Sequence, residues 1–151
     1  MNKVFFRAEE ISMPPWKKAA NDYTLLALKT LGYKNWDLSV LFCNNSFIKT
    51  LNAQYRGKDE PTDILSFPLG ETGPSGRFLA GDIVISLDAL EENARFFKVS
   101  TDEELRRLLI HGILHLSGED HATNGTEEPM LKTQEKVLQA LASEHIQENA
   151  P

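Results

Sequence analysis

The chain has 151 residues, a formal net charge of −6, 41% hydrophobic and 25% charged residues, and a single cysteine. These values are typical of one globular domain with a buried core, and a lone cysteine excludes an internal disulfide. No apolar run approaches the roughly 20 residues of a transmembrane helix, and the N-terminal segment lacks the features of a signal peptide. We therefore expect a cytoplasmic protein without a membrane partner, with residues 1–151 forming a single domain. The excess of acidic residues lies from Gly118 onward, so the near-neutral remainder can still carry a basic patch for nucleic acid.

In chain order, the first half alternates between strand and helix periods. NKVFFR predicts a short edge strand, and a helix opens at Pro14 and Pro15 and ends at Gly32. DLSVLFC predicts a second strand, after which Asn44 or Asn45 can cap a short helix.

The second half begins with TDILSFP, a predicted strand that Pro68 would end, and a loop rich in glycine and proline follows. GDIVIS predicts another strand, and Ser86 can cap a helix with Phe97 on its apolar face. Thr101 and Glu104 form a capping-box signature before LRRLLIHGILHL, and a last helix starts near residue 126. This order predicts an α+β fold, in which about five helices cover a small mixed β-sheet of about four strands.

Three of the four histidines fall within the segment HGILHLSGEDH. His111 and His115 lie four residues apart on one helix face, about 6 Å from each other, and Gly118 can end the helix so that His121 returns as a third ligand. Three imidazoles with one open position are typical of a catalytic zinc site, which predicts one Zn²⁺ per chain, although such a site also accepts nickel, cobalt or copper. The alternative, a buried histidine satisfied by a backbone carbonyl, is weaker for three histidines at this spacing.

The spacing is close to the metzincin protease signature, H-E-x-x-H-x-x-G-x-x-H, and predicts a zincin-like metal-site helix. In those proteases the glutamate after the first histidine is the general base. Gly112 occupies that position here and cannot move a proton. The usual protease mechanism is therefore disfavoured, and a close packing contact or room for a substrate would explain the glycine.

HGILHLSGEDH resembles the H-G-x-L-H-L-x-G-x-D-H signature of the YbeY family of bacterial endoribonucleases, also called rRNA maturation factors. YRGKDEPTDILSFP and GDIVIS resemble two further segments of that family in the same order and spacing, so the resemblance runs from about Leu41 to the last helix. Glu119 departs from the pattern, since the family usually has tyrosine or another histidine there. It adds a negative charge beside the site, which can weaken substrate affinity.

The resemblance implies that His111, His115 and His121 are the zinc ligands and that Arg56 is the catalytic arginine. It also implies a zinc-dependent endoribonuclease that is specific for single-stranded RNA. Such an enzyme would process the 3′ end of the small-subunit rRNA and act in ribosome quality control, with the ribosome or ribosome-associated proteins as partners.

The chemistry of arginine independently supports a catalytic role for Arg56, because a guanidinium can bind a phosphate bidentately and stabilise the charge that develops during attack. The alternative is a surface salt bridge with Asp59 or Glu60. Four further cations can extend a basic track for RNA or be ordinary solvated residues: Lys58, Arg77, Arg95 and Lys98.

Other polar residues near the motifs have less defined roles. Asp120 is expected either to orient a ligand imidazole or to brace the turn before His121. Asp63 and Ser66 are expected to brace the strand and loop near the site rather than react. His145 lies in the polar segment SEHIQENAP and is expected to be solvated.

Two other functions stay open. The first is a metal-dependent hydrolase of another substrate, such as a peptide, which Gly112 disfavours. The second is a non-catalytic, ribosome-associated module whose zinc is structural and fully coordinated by protein atoms.

Overall fold

The computed structural model describes residues 1–147, in which four strands form one mixed sheet. The strands are β1 (Lys3–Ala8), β2 (Trp36–Cys43), β3 (Ile64–Thr72) and β4 (Phe78–Ser86), in the spatial order β1-β2-β4-β3. The pairs β1–β2 and β2–β4 are parallel, and β3 is antiparallel to β4.

Five helices surround this sheet in the described part of the chain: α1 (Lys17–Thr30), α2 (Asn45–Arg56), α3 (Leu87–Phe97), α4 (Thr101–Leu116) and α5 (Pro129–Ala140). The predicted α+β class, with a small mixed sheet and five helices, is confirmed. Among these helices, none is long and apolar enough to span a membrane.

Successive strand residues point to opposite sides of the sheet, and in β4 both sets of side chains are buried. Ile83 and Ile85 of β4 join the main core, which α4 dominates, whereas Val84 joins a smaller cluster with Ile48 of α2. Helix α4 contacts β3, β4 and the helices α1, α3 and α5. It is therefore the central helix, and any side chain on it is held from several directions.

Two predicted caps are confirmed and one is wrong. Asn44 accepts a hydrogen bond from the backbone N–H of Phe47 at the start of α2, and Ser86 accepts one from Ala89 at the start of α3. Helix α4, however, is capped by Ser100, whose hydroxyl accepts from Glu103 N–H at 3.0 Å. The capping-box prediction is wrong because α4 begins one residue earlier than it assumes, with Thr101 already inside the helix, where its hydroxyl donates to Gln147 Oε1.

Strand β3 does not end at Pro68, as the sequence predicts, but runs through to Thr72. The missing N–H of proline is tolerated because β3 is an edge strand, and the register with β4 shifts between Pro68 and Glu71. The predicted long loop is therefore a short hairpin connection, closed by a hydrogen bond from Gly73 N–H to the Arg77 carbonyl.

The segment around His145 docks on the N-terminal turn of α4, while the His145 side chain itself stays exposed, as expected, at 51%. The backbone N–H groups of Ile146 and Gln147 both donate to Asp102 Oδ1, at 2.7 and 2.8 Å, and His145 Nδ1 lies 3.0 Å from Asp102 Oδ2. Ile146 is buried in the main core. The last residues of this segment, 148–151, lie outside the described part of the chain.

Candidate metal centre and its cleft

The structure brings the three predicted histidines together at the C-terminal end of α4. His111 and His115 lie one turn apart, with their Nε2 atoms separated by 3.1 Å. Gly118, at φ +99°, turns the chain back after the helix, and the ring of His121 then lies 5.2 and 5.5 Å from the other two ring centroids. One nitrogen from each ring lies within 4.8 Å of the others, so the three histidines can hold a metal ion.

Hydrogen bonds on the far side of each ring fix which nitrogen faces the centre. His115 Nδ1 bonds to the Glu119 carbonyl at 3.1 Å, and His121 Nδ1 bonds to the Thr123 carbonyl at 2.8 Å. A carbonyl only accepts, so both rings carry their proton on Nδ1 and present an Nε2 lone pair.

His111 is oriented by a side chain that the sequence analysis missed. Its Nδ1 lies 2.6 Å from Gln134 Oε1 on α5, while Gln134 Nε2 donates to Glu135. That second bond orients the amide, so Gln134 accepts from His111. The sequence feature that could have predicted this role is a polar residue, Gln134, within the apolar stripe of α5 that includes Met130 and Val137.

The donor set fits a metal ion. With both Nδ1 atoms protonated, no proton lies between the facing Nε2 atoms of His111 and His115, and a shared cation resolves the repulsion between their lone pairs. Two ligands at about 2.05 Å from a tetrahedral zinc ion are about 3.3 Å apart, close to the 3.1 Å between these nitrogens. Ligand imidazoles also ordinarily donate their other N–H to an acceptor, as all three do here.

Electrostatics keeps two of these rings neutral. Burial lowers the pKa of His111 and His115 below the usual value, and repulsion from the neighbouring imidazole of His121 lowers both further. Gln134 opposes the shift at His111, and Asp120 opposes it at His115, without reversing either. Neutral imidazole is the form that binds metal.

The histidines lie in a cleft of about 830 Å³ that also contains Arg56, Asp63 and Glu104. Arg56 is the last residue of α2, and Gly57 follows it in the left-handed conformation at φ +69°. Within residues 1–147 the Arg56 guanidinium forms no ion pair, and Asp59 pairs with Lys49 instead. The alternative of a salt bridge from Arg56 to Asp59 or Glu60 is therefore wrong, and a cation is available to an anion in the cleft.

Residues 4–142 match the family described as Endoribonuclease YbeY. The chain belongs to this family. An Endoribonuclease YbeY of Treponema denticola is 57% identical over 116 residues, which cover 74% of each chain. That of Treponema pallidum (strain Nichols) is 43% identical over 142 residues, 91% of this chain and 89% of the relative. A solution structure from Thermotoga maritima is similar in fold, with a TM-score of 0.67 and 28% identity over 99% of this chain and 98% of that one.

The departure from the YbeY pattern at Glu119 leaves the metal centre intact, because this residue contacts His115 through its backbone carbonyl. Its neighbour Asp120 braces the turn: Oδ1 accepts from His121 N–H at 2.8 Å but lies 4.0 Å from His115 Nδ1. Of the two roles considered for Asp120, the contacts favour the turn.

Gly112 is explained by packing in this YbeY chain. A Cβ at this position would lie 2.7 Å from Ile83 Cδ1, so the glycine lets α4 approach β4 closely. The position where metzincins have their general base therefore faces the core, where a glutamate would not fit.

Two carboxylates stand near the histidines in the cleft. Asp63 accepts a hydrogen bond from Asn93 at 2.9 Å, and its backbone carbonyl accepts from Ser86. These contacts link the start of β3 to α3, and Ser66 of β3 lines the same cleft. The sequence predicts only a capping role for Glu104. In the structure its carboxyl group lines the cleft, and burial raises its pKa although Arg107 donates a hydrogen bond to it.

The four cations of the possible basic track differ in their surroundings. Arg77 forms an ion pair with Asp37 and donates to two backbone carbonyls at the β1–β2 end of the sheet. It is therefore a structural residue and not part of a track. Lys58, Arg95 and Lys98 are exposed.

Proposed function

We propose that this chain is a zinc-dependent endoribonuclease that cleaves single-stranded RNA. The observation that carries the proposal is the convergence in one cleft of three Nε2 lone pairs and Arg56, which forms no ion pair within residues 1–147. The family match over residues 4–142 supports RNA as the substrate.

By resemblance to the family, the cellular substrate is the 3′ end of the small-subunit rRNA, within ribosome maturation and quality control. The ribosome or ribosome-associated proteins are then the partners, and the location is cytoplasmic. Residues 1–151 act as one hydrolase domain in this proposal.

In phosphodiester hydrolysis, different residues of the chain would have separate roles. His111, His115 and His121 would hold one Zn²⁺, which supplies Lewis acidity and lowers the pKa of water to about 7. Arg56 would bind a phosphate oxygen and neutralise the negative charge that develops on the phosphoryl oxygens in the transition state. Gln134 and the carbonyls of Glu119 and Thr123 keep the three imidazoles in the ligating tautomer.

Neither alternative function has comparable support. Peptide hydrolysis by the metzincin route lacks its general base, because Gly112 packs on Ile83. A structural zinc site would need a fourth protein ligand, and the group found within residues 1–147 contains only His111, His115 and His121. A coordination position without a protein ligand is typical of a catalytic metal site.

The decisive experiment measures zinc content and RNA cleavage on the same untagged preparations. We expect about one zinc per chain in the wild type, its loss in His115→Ala, and its retention in Arg56→Ala. Cleavage of a labelled single-stranded RNA should fall about a thousandfold or more in His115→Ala, since a metal supplies several kcal/mol. It should fall about a hundredfold in Arg56→Ala.

His145→Ala is the matched control, because it removes the fourth histidine from outside the cleft and should keep zinc and cleavage. Undiminished cleavage in both Arg56→Ala and His115→Ala would indicate a contaminating nuclease. Bound zinc without any RNA cleavage in the wild type would favour the non-catalytic module.

A further inference from the structure

Two aromatic side chains are exposed at the C-terminal end of α3, beside the metal cleft. Phe96 and Phe97 are 79% and 61% exposed, and their rings contact each other at 5.0 Å between centroids. The helical spacing predicts Phe97 on the buried face with Leu90 and Ala94. That prediction is wrong, because α3 extends past the edge of the core and Phe97 overhangs the cleft.

Phe97 also lines a second groove, of about 690 Å³, which joins the metal cleft at Glu104, Arg107 and Gln134. Its wall combines the apolar side chains of Phe97, Val99 and Leu131 with polar and charged ones, among them Lys132 and Glu135. A flat, exposed aromatic ring at the junction of the metal cleft and a second, partly apolar groove is a suitable surface for a nucleobase.

The charges around these rings favour a polyanion. Arg95 and Lys98 flank the two phenylalanines, and both are exposed. Within residues 1–147 neither of them forms an ion pair. The acids of α3, namely Asp88, Glu91 and Glu92, all precede these cations in the helix, with Glu92 one turn before Phe96. Cations are common at helix C-termini, so they alone indicate little, but here they flank aromatic rings that the core does not use.

We propose that Phe97 stacks on a base of the RNA next to the cleaved phosphodiester, while Arg95 and Lys98 contact the flanking phosphates. This inference rests on the proposed endoribonuclease function and gives it a substrate preference. Only an unpaired base can leave its stack for the ring of Phe97, so the contact selects single-stranded RNA.

The test compares Phe97→Leu with Phe96→Leu in the zinc-loaded full chain. Both changes remove an exposed ring from the end of α3, but only Phe97 lines the cleft. Binding is measured by fluorescence anisotropy on a labelled single-stranded RNA, and cleavage is measured on the same RNA. We expect Phe97→Leu to weaken binding and raise KM about 5- to 150-fold, the range for one stacked base. Zinc content and kcat should stay within about twofold, Phe96→Leu should match the wild type, and Phe97→Trp should restore binding.

A series of RNAs, each with one abasic nucleotide, identifies the stacked base. One abasic position should weaken binding to the wild type but cause no further loss in Phe97→Leu. The double variant Arg95→Ala, Lys98→Ala should reduce the salt dependence of binding, by about 0.7 in the slope of log affinity against log salt for each phosphate contact.

The outcomes separate this inference from the proposed function. Equal RNA binding and KM in the wild type and Phe97→Leu, with cleavage intact, would overturn the stacking role, leave the nuclease standing and point to a protein partner for the exposed rings. A wild type that binds RNA through Phe97 but does not cleave it would support the stacking surface and overturn the nuclease. Absence of any RNA binding would overturn both.

Discussion

The two ends of α4 each carry a cluster of histidine and polar side chains, but only one cluster has unused bonding capacity. At the N-terminal end, Asp102 accepts from Arg106, His145 and the backbone N–H groups of Ile146 and Gln147. At the C-terminal end, the imidazoles use Nδ1 for hydrogen bonds and direct their Nε2 lone pairs at one another.

The difference shows that a polar cluster indicates a functional site when some of its atoms have no hydrogen-bonding or ligating partner in the protein. The Asp102 cluster is complete within the chain and fastens the C-terminal segment to the central helix. The histidine cluster is incomplete without a cation, and the same helix supplies its rigidity. Breaking each cluster should therefore affect a different property of the protein.

The largest effect is expected on folding stability, from Asp102→Ala. Its side chain and that of Arg106 are 4% and 7% exposed, so the change leaves a buried guanidinium and two backbone N–H groups without their acceptor. We expect a loss of about 3 kcal/mol in the free energy of unfolding, measured in urea. Zinc content should be unchanged below the melting transition.

The matched control is Asp22→Ala, which removes an exposed i,i+4 pair with Lys18 and should cost less than about 0.5 kcal/mol. Loss of zinc from folded Asp102→Ala would show that the two ends of α4 are coupled and would contradict the expectation that the two clusters act independently.

A smaller effect, on metal affinity alone, is expected from Gln134→Leu. The change removes the acceptor for His111 Nδ1 while keeping a side chain of similar volume, so the ring loses its preferred tautomer. We expect zinc to bind about 10- to 100-fold more weakly in a chelator competition. The melting temperature of the metal-free protein should not fall by more than a few degrees.

Gln139→Leu, at an exposed position of α5, provides the control and should leave zinc affinity unchanged. Equal zinc affinity in Gln134→Leu and the wild type would mean that the α5 contact does not orient His111.

The sequence predicts what depends on local pattern and misses what depends on distant partners. The periods predict the four strands and five helices, and the i,i+4 spacing with Gly118 predicts the histidine group. Gln134 accepts a hydrogen bond from His111, 23 residues away, and Asp102 accepts hydrogen bonds from residues 145–147, more than 40 residues away. No local sequence pattern predicts these contacts.

The remaining misses have the same cause. Arg77, just before β4, pairs with Asp37 of β2, and these two strands are neighbours only in the folded sheet. Phe97 continues an apolar stripe whose core ends one turn earlier, and only the packing of α3 shows where that boundary lies. Pro68 is tolerated because β3 is at the edge of the sheet, which strand order alone decides.

The smallest effect is a pH dependence that should separate the two clusters in metal-free protein. The folded pKa of His111 and His115 is lowered, chiefly by burial. The unfolded chain therefore binds more protons, and stability falls as the pH drops below about 6.5. Burial alone would raise the pKa of Asp102, but the N–H groups of Gln147 and Ile146, with His145 and Arg106, lower it overall. The contribution of Asp102 to stability is complete above about pH 4 and is lost only below that value.

Urea unfolding from pH 8 to pH 3 should show two separate declines in the free energy of unfolding, each at most about 1.4 kcal/mol per pH unit for each group. The double variant His111→Gln, His115→Gln should remove the upper decline, and Asp102→Asn should weaken the lower one. A single decline that both variants shift would mean that the two ends of α4 titrate as one unit.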